Sequence, residues 1–412
     1  MLYSLTIAIA LADGPVIVLT EDDQAIEDAG VDPVGQPRSP IFAGLWEKGF
    51  LKGREDEKVV LGGYFETEYH DDFDQPSYFD QHRLVLFLYA RPRDRITFAT
   101  EIEWEHGGTP RKSNGELNVG EVLIEFAVAD FRLTDAFQAR AGIVLVPMGA
   151  YNLRHDAPAQ DITTRPLVSS TVLPSTWFET GAGFFGKIPV KKQRFDYELY
   201  AINGLDSKIY DELGVRAARG SLGEDNNDNK ALVGRFAWRP SNSVEVALSG
   251  YHGAYDPASE RFVNLGALDV TARWKFLEFQ GEAALADLDA GFDEGWAEAT
   301  RQPVPEGMAG FYGQVNAHFF PGFLRNALPP ELAESVFTAS LRYEEVDTDR
   351  AATTAGDRSR SVVCLNYRPV EPFVFKNELL LDTNGASGSL ARPFSQGWRP
   401  SPGFVSSVAV AF

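Results

Sequence analysis

From about residue 58 to the end, the chain alternates apolar and charged residues with a period of two, segment after segment. Ile96, Phe98, Ile102 and Trp104 share one face of a segment whose other face carries Glu101, Glu103 and Glu105. Val122, Ile124 and Phe126 alternate with Glu121 and Glu125, and Phe195, Tyr197 and Leu199 with Asp196 and Glu198. Leu268, Val270, Ala272 and Trp274 alternate with Asp269, Thr271, Arg273 and Lys275. Phe337, Ala339, Leu341 and Tyr343 alternate with Thr338, Ser340, Arg342 and Glu344. Successive side chains of a strand point to opposite faces, so each segment has one apolar and one charged side. Burying that many apolar faces against one another in a soluble sandwich is implausible for so many similar strands. A closed barrel in lipid solves the problem, because one face meets lipid and the other water.

Composition supports this. Aromatic residues make up 12%, with 29 Phe and 14 Tyr, and there are 37 Gly. The mean hydropathy is only -0.20. No apolar run approaches the roughly 18 residues that a spanning helix needs. In lipid, only helices and closed barrels satisfy every backbone N–H and C=O. An Arg or Lys on the lipid face at mid-bilayer costs about 2–4 kcal/mol, so the charged set points inward. The connections alternate between short turns at 91–95, 239–242, 275–277 and 368–372 and long polar stretches at 71–80, 107–116, 204–229, 254–264, 288–307, 347–359 and 384–402. Short on one side and long on the other is the periplasmic-turn and extracellular-loop asymmetry of outer-membrane barrels. The fold expected is therefore all-β: a closed antiparallel transmembrane barrel of about 16 strands over 58–412. The connection 320–335 is longer than a periplasmic turn should be and puts the count at risk by two strands. The last segment, Phe404, Ser406, Val408, Val410 and Phe412, alternates and stops on an aromatic. A final strand ending in Phe is typical of barrels assembled in the outer membrane.

Residues 1–12 read as a signal peptide: Leu2–Leu11 is apolar, and Ala10-Leu11-Ala12 before Asp13 has the small-x-small form. The segment lacks a basic start, which leaves a buried first strand as the alternative. Residues 13–57 are acidic and Pro/Gly-punctuated, and read as a partly disordered periplasmic lead-in or plug-like arm. The net charge of -21 argues against nucleic acid as a partner. Cys364 has no disulfide partner, and no metal-type Cys/His spacing occurs, so no cofactor or metal is expected. His70, His106 and His252 fall near the outer strand ends as ordinary rim histidines.

The segment after Pro147 breaks the pattern. Met148–Thr176 is a connection of nearly thirty residues containing Arg154, His155, Asp156, Asp161 and Arg165. A structureless loop of that length is usually functional or disordered. It is expected to fold into the lumen as a constriction, the alternative being a surface loop. The other lumen candidates are acidic on early strands, namely Glu66, Glu68, Glu101, Glu103, Glu105, Glu121, Glu125, Asp196 and Glu198, and basic mostly on later ones, namely Arg140, Arg235, Arg273, Arg342 and Arg360. An acidic wall facing an arginine wall would set a field across the pore; otherwise the charges pair off and stiffen the interior. Gly181-Ala182-Gly183-Phe184-Phe185-Gly186 matches G-x-G-x-x-G, but no helix pattern follows, so its glycines are read as aids to close packing and curvature. No Ser-His-Asp, Cys-His or HExxH arrangement can be assembled, and an enzyme is not expected.

Six stretches carry a family likeness: GGYFETEYH (62–70), EIEWEHGG (101–108), AGIVLVPMGAYNLRHDAP (141–158), RPLVSSTVLPSTWFETGAGFFG (165–186), YELYAINGL (197–205) and NKALVGRFAW (229–238). Over about residues 58–320 the chain resembles the phosphate-selective porin O/P type of outer-membrane protein. The resemblance implies a 16-stranded, often trimeric, substrate-filtering channel set in outer-membrane lipid and lipopolysaccharide, passing small hydrophilic solutes or ions. Phosphate-selective members cluster Lys and Arg in the pore. This chain has no lysine cluster, and its candidate basic ladder for an oxyanion is the arginine set named above.

Overall fold

The computed structural model describes residues 57–73, 76–107, 120–209, 214–220, 222–292, 303–324, 327–332, 335–351, 356–384, 391–394, 397–400 and 402–412. The segments expected as signal peptide and lead-in therefore lie outside the described residues, apart from residue 57. Sixteen strands close into one antiparallel barrel. They are β1 (Val59–Asp71), β2 (Tyr78–Arg93), β3 (Ile96–Glu105), β4 (Glu121–Thr134), β5 (Phe137–Leu145), β6 (Phe178–Val190), β7 (Gln193–Ile202) and β8 (Ala231–Ser241). The circuit continues with β9 (Val244–Ala254), β10 (Phe262–Trp274), β11 (Leu277–Leu288), β12 (Gly307–Phe319), β13 (Val336–Asp347), β14 (Arg358–Val370), β15 (Phe373–Asn384) and β16 (Gly403–Ala411).

Each strand pairs with its sequence neighbour, and β16 returns to β1. At the seam, Gly63 and Phe412 exchange backbone hydrogen bonds of 3.0 and 2.9 Å. A Cβ on Gly63 would sit 2.1 Å from the Val85 carbonyl oxygen, so this close approach requires glycine. The same reasoning settles the glycine-rich run: a Cβ at Gly183 would lie 2.0 Å from the Leu199 carbonyl oxygen across β6 and β7. Six connections at one end are two-residue turns, at 94–95, 135–136, 191–192, 242–243, 275–276 and 371–372. The long one expected at 320–335 is present and coils through Gly322–Leu324 and Pro330–Leu332 without changing the strand count. The other long connections fall at the opposite end.

The outward face is apolar and exposed, as with Leu232, Phe236 and Trp238 on β8 and Leu341 and Tyr343 on β13. The inward face carries the charge: Glu198, Arg235, Glu245, Asp269, Glu282, Arg342 and Lys376 are all buried. A soluble protein would invert this distribution. Among the described residues no helix is long and apolar enough to cross a membrane. The architecture is that of an outer-membrane β-barrel.

One expected face is wrong. The β3–β4 register slips between Glu101 and Ile102, so Glu125 is bulged out of the ladder and Phe126 lies opposite Glu101. A bulge inserts one residue and reverses the alternation beyond it. Phe126 therefore turns inward and is buried with Val128 and Asp130, while Val122 and Ile124 keep the outward face.

Candidate pore constriction

The connection between β5 and β6 folds into the barrel and reaches the opposite wall. Its first turn, α1 (Gly149–Leu153), docks on β9 and β11: the Gly149 N–H donates to Ser249 Oγ at 3.3 Å and the Tyr151 N–H to Glu282 Oε2 at 3.1 Å. The chain then crosses to β14 and β15, where Lys376 Nζ donates to the Ala157 carbonyl at 2.8 Å and Asn366 to the Asp161 carbonyl at 2.6 Å. The Thr163 and Thr164 N–H groups donate to Glu378, and the Leu167 N–H donates to Glu344. The loop returns through α2 (Val168–Thr171), where Ser169 Oγ donates to Glu282 at 2.7 Å. Wall carboxylates thus satisfy loop backbone donors that would otherwise be stranded away from water. Apolar contacts finish the seal, with Val168, Val172, Leu173 and Trp177 packed among Tyr251, Met308 and Tyr312.

The five loop residues singled out from sequence take separate places. Arg154 reaches Glu245 at 3.5 Å and Thr271 at 3.4 Å. His155 is clamped between the Asn152 carbonyl (2.8 Å) and Glu125 (3.0 Å), tying the loop to β4. The Asp156 carbonyl accepts the Ala159 N–H at 2.9 Å in a short 3-10 turn. Asp161 accepts from Asn316 Nδ2 at 2.8 Å. The Arg165 carbonyl accepts from Arg360 at 3.5 Å.

The arginines expected to form a basic wall are instead neutralised where they stand. Arg140 makes a bidentate pair with Asp130 at 2.7 and 2.8 Å. Arg360 does the same with Asp382 at 2.6 and 2.7 Å, and Arg273 pairs with Glu278 at 2.6 Å. Arg342 pairs with Glu344 at 3.1 Å, and Arg235 with Asp269 and with Glu245, the latter at 3.2 Å. Glu344 shares the charged face of its segment with Arg342, whereas Glu245, Glu278 and Asp382, which also stand inward beside the arginines, were not among the expected lumen residues. Three of these pairs, Asp130 with Arg140, Arg273 with Glu278 and Arg360 with Asp382, are directly opposed in register.

On β1 to β4 the balance is different. Glu66, Glu101, Glu103 and Glu125 are buried together, and Glu105 is half-buried. Arg83 is the inward arginine here, at 3.4 Å from Glu66 and 3.3 Å from Glu103, and Lys376 lies 3.8 Å from Glu66. Glu121, the first residue of β4, is exposed opposite Glu105.

What faces this acidic wall comes from two loops. Arg165 interacts electrostatically with Glu105, and with Arg216 and Arg219 from the β7–β8 connection. Arg219 donates to the Thr176 carbonyl and to Thr176 Oγ1 at 2.8 Å, joining the two loops. Withdrawal from water, followed by repulsion from Arg219 and Arg165, holds Arg216 well below the ordinary guanidinium range. Withdrawal from water and Arg165 push Arg219 down to about 10. All three arginines and Glu105 keep partial exposure inside the barrel, unlike the paired Arg140, Arg235, Arg342 and Arg360, which are buried. Arg216 and Arg219 were not found from sequence because they sit in a long connection with no alternation to place them.

No protein-family model matches the sequence. An uncharacterised protein of Aquifex aeolicus is 27% identical over 293 residues, spanning 66% of this chain and 64% of its own length. The chain is similar in fold to OmpF of Salmonella typhi, at a TM-score of 0.56 and 9% identity, covering 86% of this chain and 97% of that one. The anion-selective porin of Comamonas acidovorans (TM-score 0.49, 10% identity) covers 86% of this chain and 99% of that one. The channel DcaP of Acinetobacter baumannii (TM-score 0.49, 13% identity) covers 86% and 97% respectively. The neighbours are outer-membrane porins and channels. They do not single out the phosphate-selective O/P subtype.

Proposed function

We propose that the chain is a porin: a water-filled channel through which small hydrophilic solutes or ions diffuse passively across a Gram-negative outer membrane. It sits among lipid and lipopolysaccharide as a homotrimer, with residues 1–12 removed as a signal peptide and 13–57 on the periplasmic side. One observation carries the reading. A loop tethered across the lumen leaves partly exposed Glu105, Arg165, Arg216 and Arg219 along one side and a tightly packed interior along the other. A narrow aqueous path with opposite charges on its two flanks admits hydrated, dipolar or charged solutes and disfavours apolar ones.

The three neighbouring arginines favour a second reading, a channel selective for phosphate or another oxyanion. Guanidinium groups held close together at a cost in mutual repulsion suit a multiply charged anion. Single-channel conductance in a planar bilayer, with reversal potential under a salt gradient, separates the two. Discrete steps with weak or cation preference support the general porin. Anion preference with inorganic phosphate blocking the chloride current supports the oxyanion channel. Folded, heat-modifiable protein that never conducts contradicts both.

A further inference from the structure

At the long-connection end of β1 to β3, three histidines converge on two carboxylates. His70 Nε2 lies 2.7 Å from Glu68 Oε2, and His82 Nδ1 lies 2.9 Å from Glu68 Oε1. His106 Nδ1 lies 2.9 Å from Asp80 Oδ1, and His82 Nδ1 lies 3.9 Å from Asp80 Oδ2. Ligand atoms of Glu68, His70 and Asp80 fall within 4.8 Å of one another. His252, the remaining rim histidine, lies elsewhere, hydrogen-bonded to Asn264 at 2.8 Å.

Strict alternation would place His82 with Leu84 and Leu86 on the lipid side. The β1–β2 register slips between Glu66 and Glu68, and this bulge brings His82 to the inward cluster. Arg83 Nη2 contacts His82 Nε2 at 2.6 Å. Guanidinium can only donate, so Nε2 accepts, and the other ring nitrogen, Nδ1, faces Glu68 Oε1. One Glu68 oxygen thus lies against His82, leaving the other towards His70.

We propose that His70, Glu68 and Asp80 bind a divalent first-row transition-metal ion of the zinc type at the outer rim of the lumen. His82 and His106 orient the two carboxylates. Tetrahedral N/O coordination at zinc bond lengths separates ligand atoms by about 3.4 Å, so the 2.7 Å His70–Glu68 pair opens by less than an ångström to admit an ion. One imidazole with two carboxylates is a donor set for zinc, nickel or copper rather than for a thiolate-seeking ion. Three protein ligands leave a coordination position for water, and hydrogen-bond partners on ligating carboxylates are the usual support of such sites.

A second observation points to a cation. Glu66 is 2% exposed, its Oε1 has no hydrogen-bond partner among the described residues, and its carboxylate lies within 4.8 Å of the Glu68 and His82 ligand atoms. Its ion pairs with Arg83 and Lys376 are long, at 3.4 and 3.8 Å. Glu66, Glu68 and Asp80 therefore concentrate negative charge that a doubly charged ion offsets. With side-chain exposures of 20% for His70 and 17% for Asp80, the ligands are reachable from the outer mouth. The site goes beyond the channel reading and stands whether or not the barrel conducts.

The test is titration of the refolded full-length barrel in detergent with Co2+ as the probe, followed by its visible d–d absorption, with Zn2+ displacement. The wild type takes up one ion per chain with saturable absorption that Zn2+ abolishes. His70→Ala and Asp80→Asn weaken uptake at least tenfold while retaining heat-modifiable mobility, His82→Ala weakens it about tenfold as an outer-shell change, and His252→Ala leaves it unchanged. Absence of saturable uptake by folded wild type, or uptake unaltered in folded His70→Ala and Asp80→Asn, overturns the proposal.

Discussion

On the wall built from β8 to β15, Arg235, Arg273, Arg342 and Arg360 each stand against a carboxylate, Asp269, Glu278, Glu344 and Asp382 respectively, and the loop lies over Arg342 and Arg360. On the wall from β1 to β4, Glu66 and Glu103 share Arg83, Glu125 meets His155 from the loop, and Glu105 looks towards Arg165. One wall holds its countercharges and serves as an anchor. The other holds fewer of them among the described residues, and further cations arrive on loops. A buried charge pair is costly to break, whereas charges facing one another across water stay separated and act on whatever passes between them. Under the proposed channel function, stability and selectivity fall to different sides of one lumen.

The comparison breaks most visibly if the anchor is cut. Replacing Glu282, Glu344 and Glu378 together by Ala removes the acceptors for Tyr151, Leu167, Thr163 and Thr164, each worth about 1.5–3 kcal/mol as a charge-assisted hydrogen bond. The loop should then leave the wall, with single-channel conductance rising several-fold and open-state noise increasing. Next in size, Asp382→Ala strands Arg360 in the barrel wall and should cost about 3–5 kcal/mol in urea unfolding. The ion preference of that variant, read from reversal potential, should stay near the wild-type value. Reversing charge on the loops should do the opposite. Arg216→Glu with Arg219→Glu moves the reversal potential strongly towards cations with a small change in stability, because both groups already repel one another. The smallest effect is expected from Glu105→Gln, a modest shift towards anions with unchanged unfolding.

Much of the barrel was legible in the sequence because its physics is local. An alternating face and the intolerance of lipid for charge placed Glu101, Glu103, Arg235 and Arg342 inward without knowledge of any partner. The length of the 148–176 connection likewise marked it as the element that fills the lumen. Two bulges defeated the same rule: Phe126 was assigned to lipid, and His82 went unnoticed, since a one-residue insertion leaves no composition signal. The placement of the charges at the acidic wall was only half legible. The acidic residues lie on strands with fixed periodicity, but Arg165, Arg216 and Arg219 meet only through the way two long loops fold together.

The division of the lumen is tested most directly by thiol accessibility during current recording. In a Cys364→Ser background, Glu105→Cys probes the acidic wall and Ser340→Cys the anchored one, where Ser340 is 1% exposed. Each variant is exposed to a charged methanethiosulfonate reagent in the bilayer. The account predicts a prompt stepwise drop in current for Glu105→Cys and an unchanged current for Ser340→Cys. Equal block at both positions, or block at Ser340→Cys alone, would contradict a path running along β1 to β4.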